Sequence, residues 1–424
     1  MISLKLRAVL VGGSSAVVLA ATSLLVPISS AGAATLSSAL PASSSACSGS
    51  PIVIGQIASA TGQLAYPDVP VAAKVAVAAV NKTCEDGRPL KLVTCDDQGD
   101  TNTAITCGHE MVSDHVVAMV GNSSAALSPA MAITQAAGIP SVFNAGVSPW
   151  EFTSKLSYTL SESLLQVVSV IHGALGSGAK KIAFIAADEP LGSEILGLFT
   201  AIGKPLGVTT VPVVYPPSTT DFAPVAAQAV ATKAGAVFVA AGAAQAPPLF
   251  KSLAQQGLAS KTLLMTSAGL FSPASLHALG SSANGVYVLS PEALPVDATG
   301  SNAGITTMRK EYVADGQNPN NSNMTGFATL AWSAVHVFAD VVKSVKTVTP
   351  ATVVTALNTA GTINEPQIPA WNAAKNAVPS VPELRAFRIL SGADFWYRIS
   401  GEKYTPLSSA PIPAVKNFNL TAKG

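Results

Sequence analysis

The chain has 424 residues, of which only 11% are charged, and its formal net charge is +1. Nothing in it resembles the basic stripe that a nucleic-acid binder needs, so no nucleic-acid partner is expected. Charge singles out no partner of any kind, while the length beyond Ser50 suffices for two domains that each bury a core.

Lys5 and Arg7 lead into an apolar run from Ala8 to about Val26, broken by Pro27, and Ala31-Gly-Ala33 offers an A-x-A cleavage site. Residues 1–33 therefore read as a secretory signal peptide, which makes the expected location extracytoplasmic. An uncleaved anchor is the alternative, although Gly12, Gly13, Ser14 and Ser15 dilute the run. Residues 34–50, rich in Ser and Ala, read as a flexible tether. Ser44-Ser45-Ala46 before Cys47 lacks the aliphatic residue of a lipid-anchor signal.

Ile52 to Ala58 is an apolar run that predicts a strand, followed by the small-residue turn Ser59 to Gln63, a helix from Val69 to Asn81, and a second strand from Leu90 to Thr94. This succession is the signature of a βαβ unit with parallel, buried strands. Such sheets bind small ligands at the carboxyl ends of their strands. The alternation continues with strands at Val116–Val120 and Ile139–Phe143 and a helix near Leu164–Leu175. A second array follows, with strands at Lys181–Ala186, Val208–Val214, Ala236–Ala240, Thr262–Thr266 and Gly285–Leu289. Helices then follow at Ala303–Tyr312, Gly326–Lys346 and Pro350–Ala360, and the tail carries a strand-like Phe387–Leu390. The expected fold class is α/β, with two doubly wound parallel-sheet lobes joined by a hinge.

Four cysteines in an exported chain suggest disulfides. Of the three possible connectivities, the layer order favours Cys95 with Cys107 and Cys47 with Cys84, because each pair then lies at one end of the sheet. His109, Glu110 and His115 tempt a zinc reading beside Cys107. The two histidines stand two residues too far apart for H-E-x-x-H, about 240° around a helix, so no metal site is expected. An enzyme would need a nucleophile and a base, yet G-x-S-x-G is absent. Gly173 to Gly178 precedes a strand, whereas a dinucleotide loop follows one. No catalytic residue and no cofactor is expected.

Ile54-Gly-Gln-Ile with Thr61-Gly62, Leu92 to Asp100, Val120-Gly-Asn-Ser-Ser124, Ala137-Gly-Ile-Pro140, Tyr215-Pro-Pro with Thr220-Asp-Phe222, Gln256-Gly-Leu258 and Asn284-Gly-Val286 occur in a characteristic order. From about Ile52 to Ile368 the chain resembles the type I periplasmic solute-binding proteins of the branched-chain amino-acid (leucine, isoleucine, valine) ABC transporter class. The resemblance implies two lobes joined by three crossovers, with residues 51–162 and 291–362 in lobe 1 and residues 163–290 and 363–424 in lobe 2. It also implies a monomer that closes on a small molecule and delivers it to a membrane ABC permease.

The same resemblance places Ser123, Ser124, Ala145 and Val147 at carboxylate-holding positions and Tyr66 at a cavity-lining aromatic. Ordinary turn and cap chemistry is the competing account of the serines. Leu191 stands where the family carries an aromatic residue, and a second aromatic is replaced near Gly242. Ala268 stands where an acid pairs with the ligand's ammonium, and Val147 where a hydroxyl assists it. With Leu270 and Phe271 also lining it and Trp150 at its rim, such a cavity suits a hydrophobic or aromatic acid or amide rather than a free amino acid, since an unpaired buried ammonium costs several kcal/mol. A shift of a residue or two in the alignment would bring Asp188, Glu189 or Gln245 to the ligand instead. The alternatives are a sensory protein of the same fold serving a separate receptor, and a true branched-chain amino-acid binder.

Overall fold

The computed structural model describes residues 47–62, 65–84, 87–146, 149–160, 165–242, 244–268, 272–295, 302–321, 324–375 and 389–421. The signal-peptide reading, most of the tether, Val147, Leu270, Phe271, the Leu191 side chain and the first half of Phe387–Leu390 lie outside the described residues.

The first array runs β1 (Ile52–Ala58), α1 (Asp68–Thr83), β2 (Leu90–Asp96), α2 (Thr101–Ser113), β3 (Met119–Val120), α3 (Leu127–Ala136), β4 (Ser141–Val142), α4 (Pro149–Thr153) and β5 (Ser157–Tyr158). The second runs α5 (Leu165–Gly176), β6 (Lys181–Ala187), α6 (Pro190–Gly203), β7 (Thr209–Tyr215), α7 (Ala223–Ala231), β8 (Ala236–Ala240), α8 (Ala246–Gln255), α9 (Leu258–Lys261), β9 (Leu263–Ser267), α10 (Pro273–Leu279) and β10 (Tyr287–Ser290). The remainder comprises α11 (Ala303–Ala314), α12 (Gly326–Val342), α13 (Pro350–Thr359), β11 (Thr362–Ile363), β12 (Trp371–Asn372), β13 (Ala393–Ser400), β14 (Lys403–Pro406) and β15 (Ile412–Pro413).

The first sheet has the order β2-β1-β3-β4-β5, all parallel. The second repeats that order as β7-β6-β8-β9-β10, again parallel. Both orders reverse direction next to their first strand, between β1 and β3 and between β6 and β8. Those reversals are the switch points at which doubly wound sheets open a crevice for a ligand.

The tail departs from the sequence expectation. Ile389 and Leu390 form no strand, and the strand is β13, which pairs antiparallel with β10 and carries β14 and β15 on its other side. Phe395, Trp396, Tyr397 and Ile399 are buried within it, which is why the strand forms there. The antiparallel addition covers the β10 edge that a purely parallel lobe would leave unpaired.

Small residues set the packing of the first lobe. Ala72, Ala73 and Ala76 of α1 are fully buried, and α12 is apolar over most of its circumference and buried along most of its length. A helix apolar on nearly all faces belongs inside a core. Gly121, at the end of β3, has φ +63°, and a Cβ there would come within 2.8 Å of the Ala331 Cα on α12. Only glycine serves where the backbone is left-handed and a helix passes that close.

Two disulfides tie the periphery. Cys47 joins Cys84 with Cα atoms 5.5 Å apart, and Cys95 joins Cys107 at 5.7 Å. The first pins the segment before β1, within the stretch read as tether, to the C-terminal cap of α1.

Backbone crossings between the two sheets are stitched to one another. The Trp371 indole N–H donates to the Thr159 carbonyl at 2.8 Å, Ala293 N–H to the Gln367 carbonyl at 2.8 Å, and Leu294 N–H to the Tyr397 hydroxyl at 3.0 Å. The first two bonds join the segments after β5, after β10 and after α13, and the third ties the segment after β10 to β13.

Candidate ligand-binding site

At the first switch point one side chain after β3 knits together the end of β1, the start of β4 and the turn after β4. Asn122 Oδ1 accepts from Ile57 N–H at 2.8 Å, and its Nδ2 donates to Ser141 Oγ and to Asn144 Oδ1, each at 3.0 Å. Its carbonyl accepts from Ala145 N–H at 3.0 Å, while the Gln56 amide donates to the Gly121 carbonyl at 3.0 Å. Asn122, Asn144 and Gln56 are all fully buried. Sequence reasoning passed over these three, although polar residues inside otherwise apolar strand ends are a usable signal, since buried polar groups must find partners.

Ser123 and Ala145 are brought side by side in this frame. Ser123 N–H donates to the Ile57 carbonyl at 3.1 Å and its own carbonyl accepts from Ser59 N–H at 3.1 Å, while the Ser123 hydroxyl is buried without a hydrogen-bond partner. Ser124 is also buried, but its Oγ accepts from Ala126 N–H at 2.9 Å just before α3, the turn chemistry that competed with a ligand role. Backbone N–H groups at the start of α3 favour negative charge nearby.

Tyr66 lies half-buried at the mouth of the first turn, its N–H donating to the Ser59 carbonyl at 2.7 Å and its ring edge-on to Phe327 at 4.8 Å. Beside it stands a carboxyl that the sequence reading did not single out. Asp68 is buried, its Oδ2 accepting from Thr325 N–H at 2.6 Å and Thr325 Oγ1 at 2.8 Å, with Oδ1 unpartnered. Burial raises its pKa above the ordinary carboxylate value, against the pull of the Thr325 hydrogen bonds. Burial, and then the Asp68 charge, raises Tyr66 as well.

In the second lobe, Gly242 follows β8 and its carbonyl accepts from Gln245 and Ala246 N–H, both at 2.9 Å. Ala268 follows β9 and is 1% exposed. The Gln245 side chain is engaged within the lobe, accepting from the Tyr215 hydroxyl at 3.1 Å and donating to the Pro217 carbonyl at 2.8 Å. Asp188 and Glu189 are exposed at the start of α6. Burial, followed by the charge of Glu189, pushes the Tyr215 phenol up to about 12.

Two other places compete for attention. A cavity of about 230 Å³, lined by Val80, Arg88, Glu311, His336 and Lys343, opens near Ile52 and Leu90, where β1 and β2 begin. That is the end of the strands away from the switch point, and the Glu311 carboxylate there is already taken by Trp332 at 2.6 Å and His336 at 3.0 Å. Cys95, Cys107 and Glu110 are the one group of potential metal ligands among the described residues. The two sulfurs form a disulfide, so they offer no thiolates to a metal.

The pattern of the periplasmic binding protein family matches residues 51–389. The chain belongs to that family. Among solved structures, a substrate-binding protein of an ABC transporter from Aeropyrum pernix is 16% identical, with TM-score 0.71, covering 86% of this chain and 96% of that one. The branched-chain amino acid transporter substrate binding protein of Streptococcus pneumoniae, solved with isoleucine, is 16% identical at TM-score 0.65, covering 86% and 99%. An ABC transporter solute binding protein from R. palustris, solved with benzoate, is 17% identical at TM-score 0.65, covering 85% and 97%. No curated protein matches. At these identities the likeness to solved structures is one of fold. As a periplasmic binding protein, the chain carries the family's two α/β lobes, and none of its described helices is long and apolar enough to cross a membrane.

Proposed function

We propose that this protein captures a small carboxylate-bearing solute, hydrophobic or aromatic in its remainder, between its two lobes and hands it to the permease of an ABC importer. The observation that carries the reading is the buried, unpartnered Ser123 hydroxyl, held at the first switch point by the Asn122 frame and next to the start of α3. A carboxylate oxygen accepting from that hydroxyl would satisfy it. The protein exists to bind reversibly, with no chemistry performed on the solute. The ligand shifts the hinge only through its preference for the closed state. The benzoate-bound relative supports an aromatic acid, and Ala268 in place of an acid supports a ligand without an ammonium group.

Asp68 favours a second reading. Its unpartnered oxygen next to Tyr66 is an acceptor for an ammonium group, which would make the protein a branched-chain amino-acid binder by a route different from the family's usual one. A thermal-shift panel on the protein beginning at Thr35 separates the two, comparing leucine, isoleucine and valine with benzoate, other aromatic acids and their amides. A ligand at a hundredfold its dissociation constant adds about 2.7 kcal/mol to native stability. Stabilisation by benzoate-like acids alone supports the first reading. Stabilisation by leucine or isoleucine that Asp68→Asn abolishes supports the second.

A further inference from the structure

The hinge holds two buried carboxyl groups that solute capture at the switch point does not use. Glu292 leaves the end of β10, and its Oε1 accepts from the Ser290 hydroxyl at 3.1 Å. The carboxyl lies so tightly over Gly326, the first residue of α12, that a Cβ there would collide with Oε1. Asp394 stands on β13, its Oδ2 accepting from the Ser169 hydroxyl of α5. Glu292 Oε2 and Asp394 Oδ1 are each buried without a hydrogen-bond partner among the described residues. Ser290 pairs with Phe395, so both acids emerge at the same end of two adjacent strands. The hydrogen bonds from Ala293 to Gln367 and from Leu294 to Tyr397 close the crossings around them.

No cation offsets this pair among the described residues. On β13 the nearby titratable group is Tyr397, packed on Tyr404 of β14, whose phenol burial holds far above its ordinary value. Arg398 lies farther along β13, over the Tyr287 ring of β10. Ile412 of β15 is the strand neighbour of Asp394 and does not titrate. On α5 the titratable side chain is His172, half-buried and bonded to Asn417; on α12 they are His336, bonded to Glu311, and the acidic Asp340. Arg309 of α11 donates to the Pro295 carbonyl, and Glu365, before Gln367, interacts with Asp340 and His336. The charge that acts on Glu292 is that of Asp394. Burial pushes Glu292 up to about 8 and Asp394 up to about 7, with the serine hydroxyls pulling the other way.

We propose that Glu292 and Asp394 form a proton-held latch in the hinge: while protonated they permit the crossings to pack as they do here, and their ionisation loosens those crossings and frees the lobes to move. Two uncompensated negative charges cannot stay in this dry site. Water must reach them, and the segments in its way are the ones that pass between the lobes. The latch therefore holds below the ordinary carboxylate range and is released as pH rises through about 7 to 8.

Amide hydrogen exchange at Ala293 and Leu294, corrected for the intrinsic pH dependence of exchange, reads the latch without any ligand. Protection at these two amides should fall at least roughly tenfold between pH 5.5 and 8.5, while that of the β6–β8 ladder changes little. Glu292→Gln and Asp394→Asn should each flatten the fall. Protection that is independent of pH, or that falls equally in the double variant, would overturn the latch. Should a variant fail to fold, infrared spectroscopy of the wild-type protein supplies an independent reading. A protonated carboxyl band at pH 6.5 that disappears by pH 9 supports the latch, and absence of that band at pH 6.5 overturns it.

Discussion

Trp371 and Thr159 are linked by an indole N–H to carbonyl hydrogen bond of 2.8 Å, and the same indole packs edge-on against Phe143 at 4.9 Å between ring centres. One side chain thus ties the segment after α13 to the segment after β5 and to the turn that follows β4. Trp371→Phe keeps the ring and removes the donor, leaving a buried carbonyl unpaired. The expected loss is about 1–3 kcal/mol in chemical denaturation. Trp371→Ala should cost more, about 3–5 kcal/mol. Equal stability of wild type and Trp371→Phe would mean that the hydrogen bond contributes nothing.

The two serines at the first switch point should behave oppositely although they are adjacent and equally buried. The Ser124 hydroxyl serves the turn before α3, so Ser124→Ala should destabilise by about 1 kcal/mol. The Ser123 hydroxyl has no partner among the described residues, so Ser123→Ala should leave stability unchanged or slightly raised. If the proposed function is right, Ser123→Ala also removes the stabilisation given by whichever acid the thermal-shift panel identifies. A Ser123→Ala protein that is markedly less stable would show that the hydroxyl already has a structural task.

The fold was largely legible in advance, since strands buried on both faces form apolar runs and their turns carry Gly and Ser. The runs at Ile52–Ala58 and Ala236–Ala240 coincide with β1 and β8. β3 and β4 proved shorter than their apolar runs, because Val116 and Ile139 are buried by packing and not by ladder pairing. Trp396 and Tyr397 could equally have filled a loop core, and only the pairing with β10, more than a hundred residues earlier in the chain, decides that they lie on a strand. Among site residues, Asp68 escaped notice for a related reason. Its importance lies in the contact with Thr325, far along the chain, which no local pattern reveals.

Asp68 gives a pH prediction with a definite sign. Its folded pKa is raised, so its contribution to stability is fully present below the ordinary carboxylate range and is lost as pH rises through the folded value. Asp68→Asn retains an acceptor for Thr325 and cannot ionise. It should match wild type at low pH, exceed it slightly at pH 8, and show a shallower decline of melting temperature from about pH 4 upward. A variant less stable than wild type at pH 8 would mean that the ionised form is the one the fold prefers.

The disulfides should differ in worth according to the loops they close. Cys47–Cys84 spans 37 residues and Cys95–Cys107 spans 12. On loop entropy alone the longer loop gives about 1 kcal/mol more, within a typical range of about 2–4 kcal/mol each. Replacing Cys47 and Cys84 by alanine should therefore lower the midpoint of urea unfolding more than replacing Cys95 and Cys107. The opposite order would place the stabilisation in local packing at Cys107, which is fully buried between α2 and its neighbours.

Gly326 provides the sharpest test of hinge packing because two effects of opposite sign meet there. At an ordinary position inside a helix, Gly→Ala stabilises by about 1 kcal/mol. At Gly326 the added methyl would strike the Glu292 carboxyl and press toward Ser290 Oγ, 3.2 Å away. Overpacking of this kind costs about 1–3 kcal/mol, and since Glu292 is fixed between Ser290 and α12 the carboxyl cannot swing aside without losing its hydrogen bond. Gly326→Ala should therefore destabilise. Glu292→Ala removes the obstructing carboxyl, so in that background Gly326→Ala should become neutral or stabilising. A double-mutant cycle would then give an interaction energy of about 0.5–3 kcal/mol. Additive effects would show that the helix start and the hinge acid do not touch in solution, and the packing on which the latch depends would go with them.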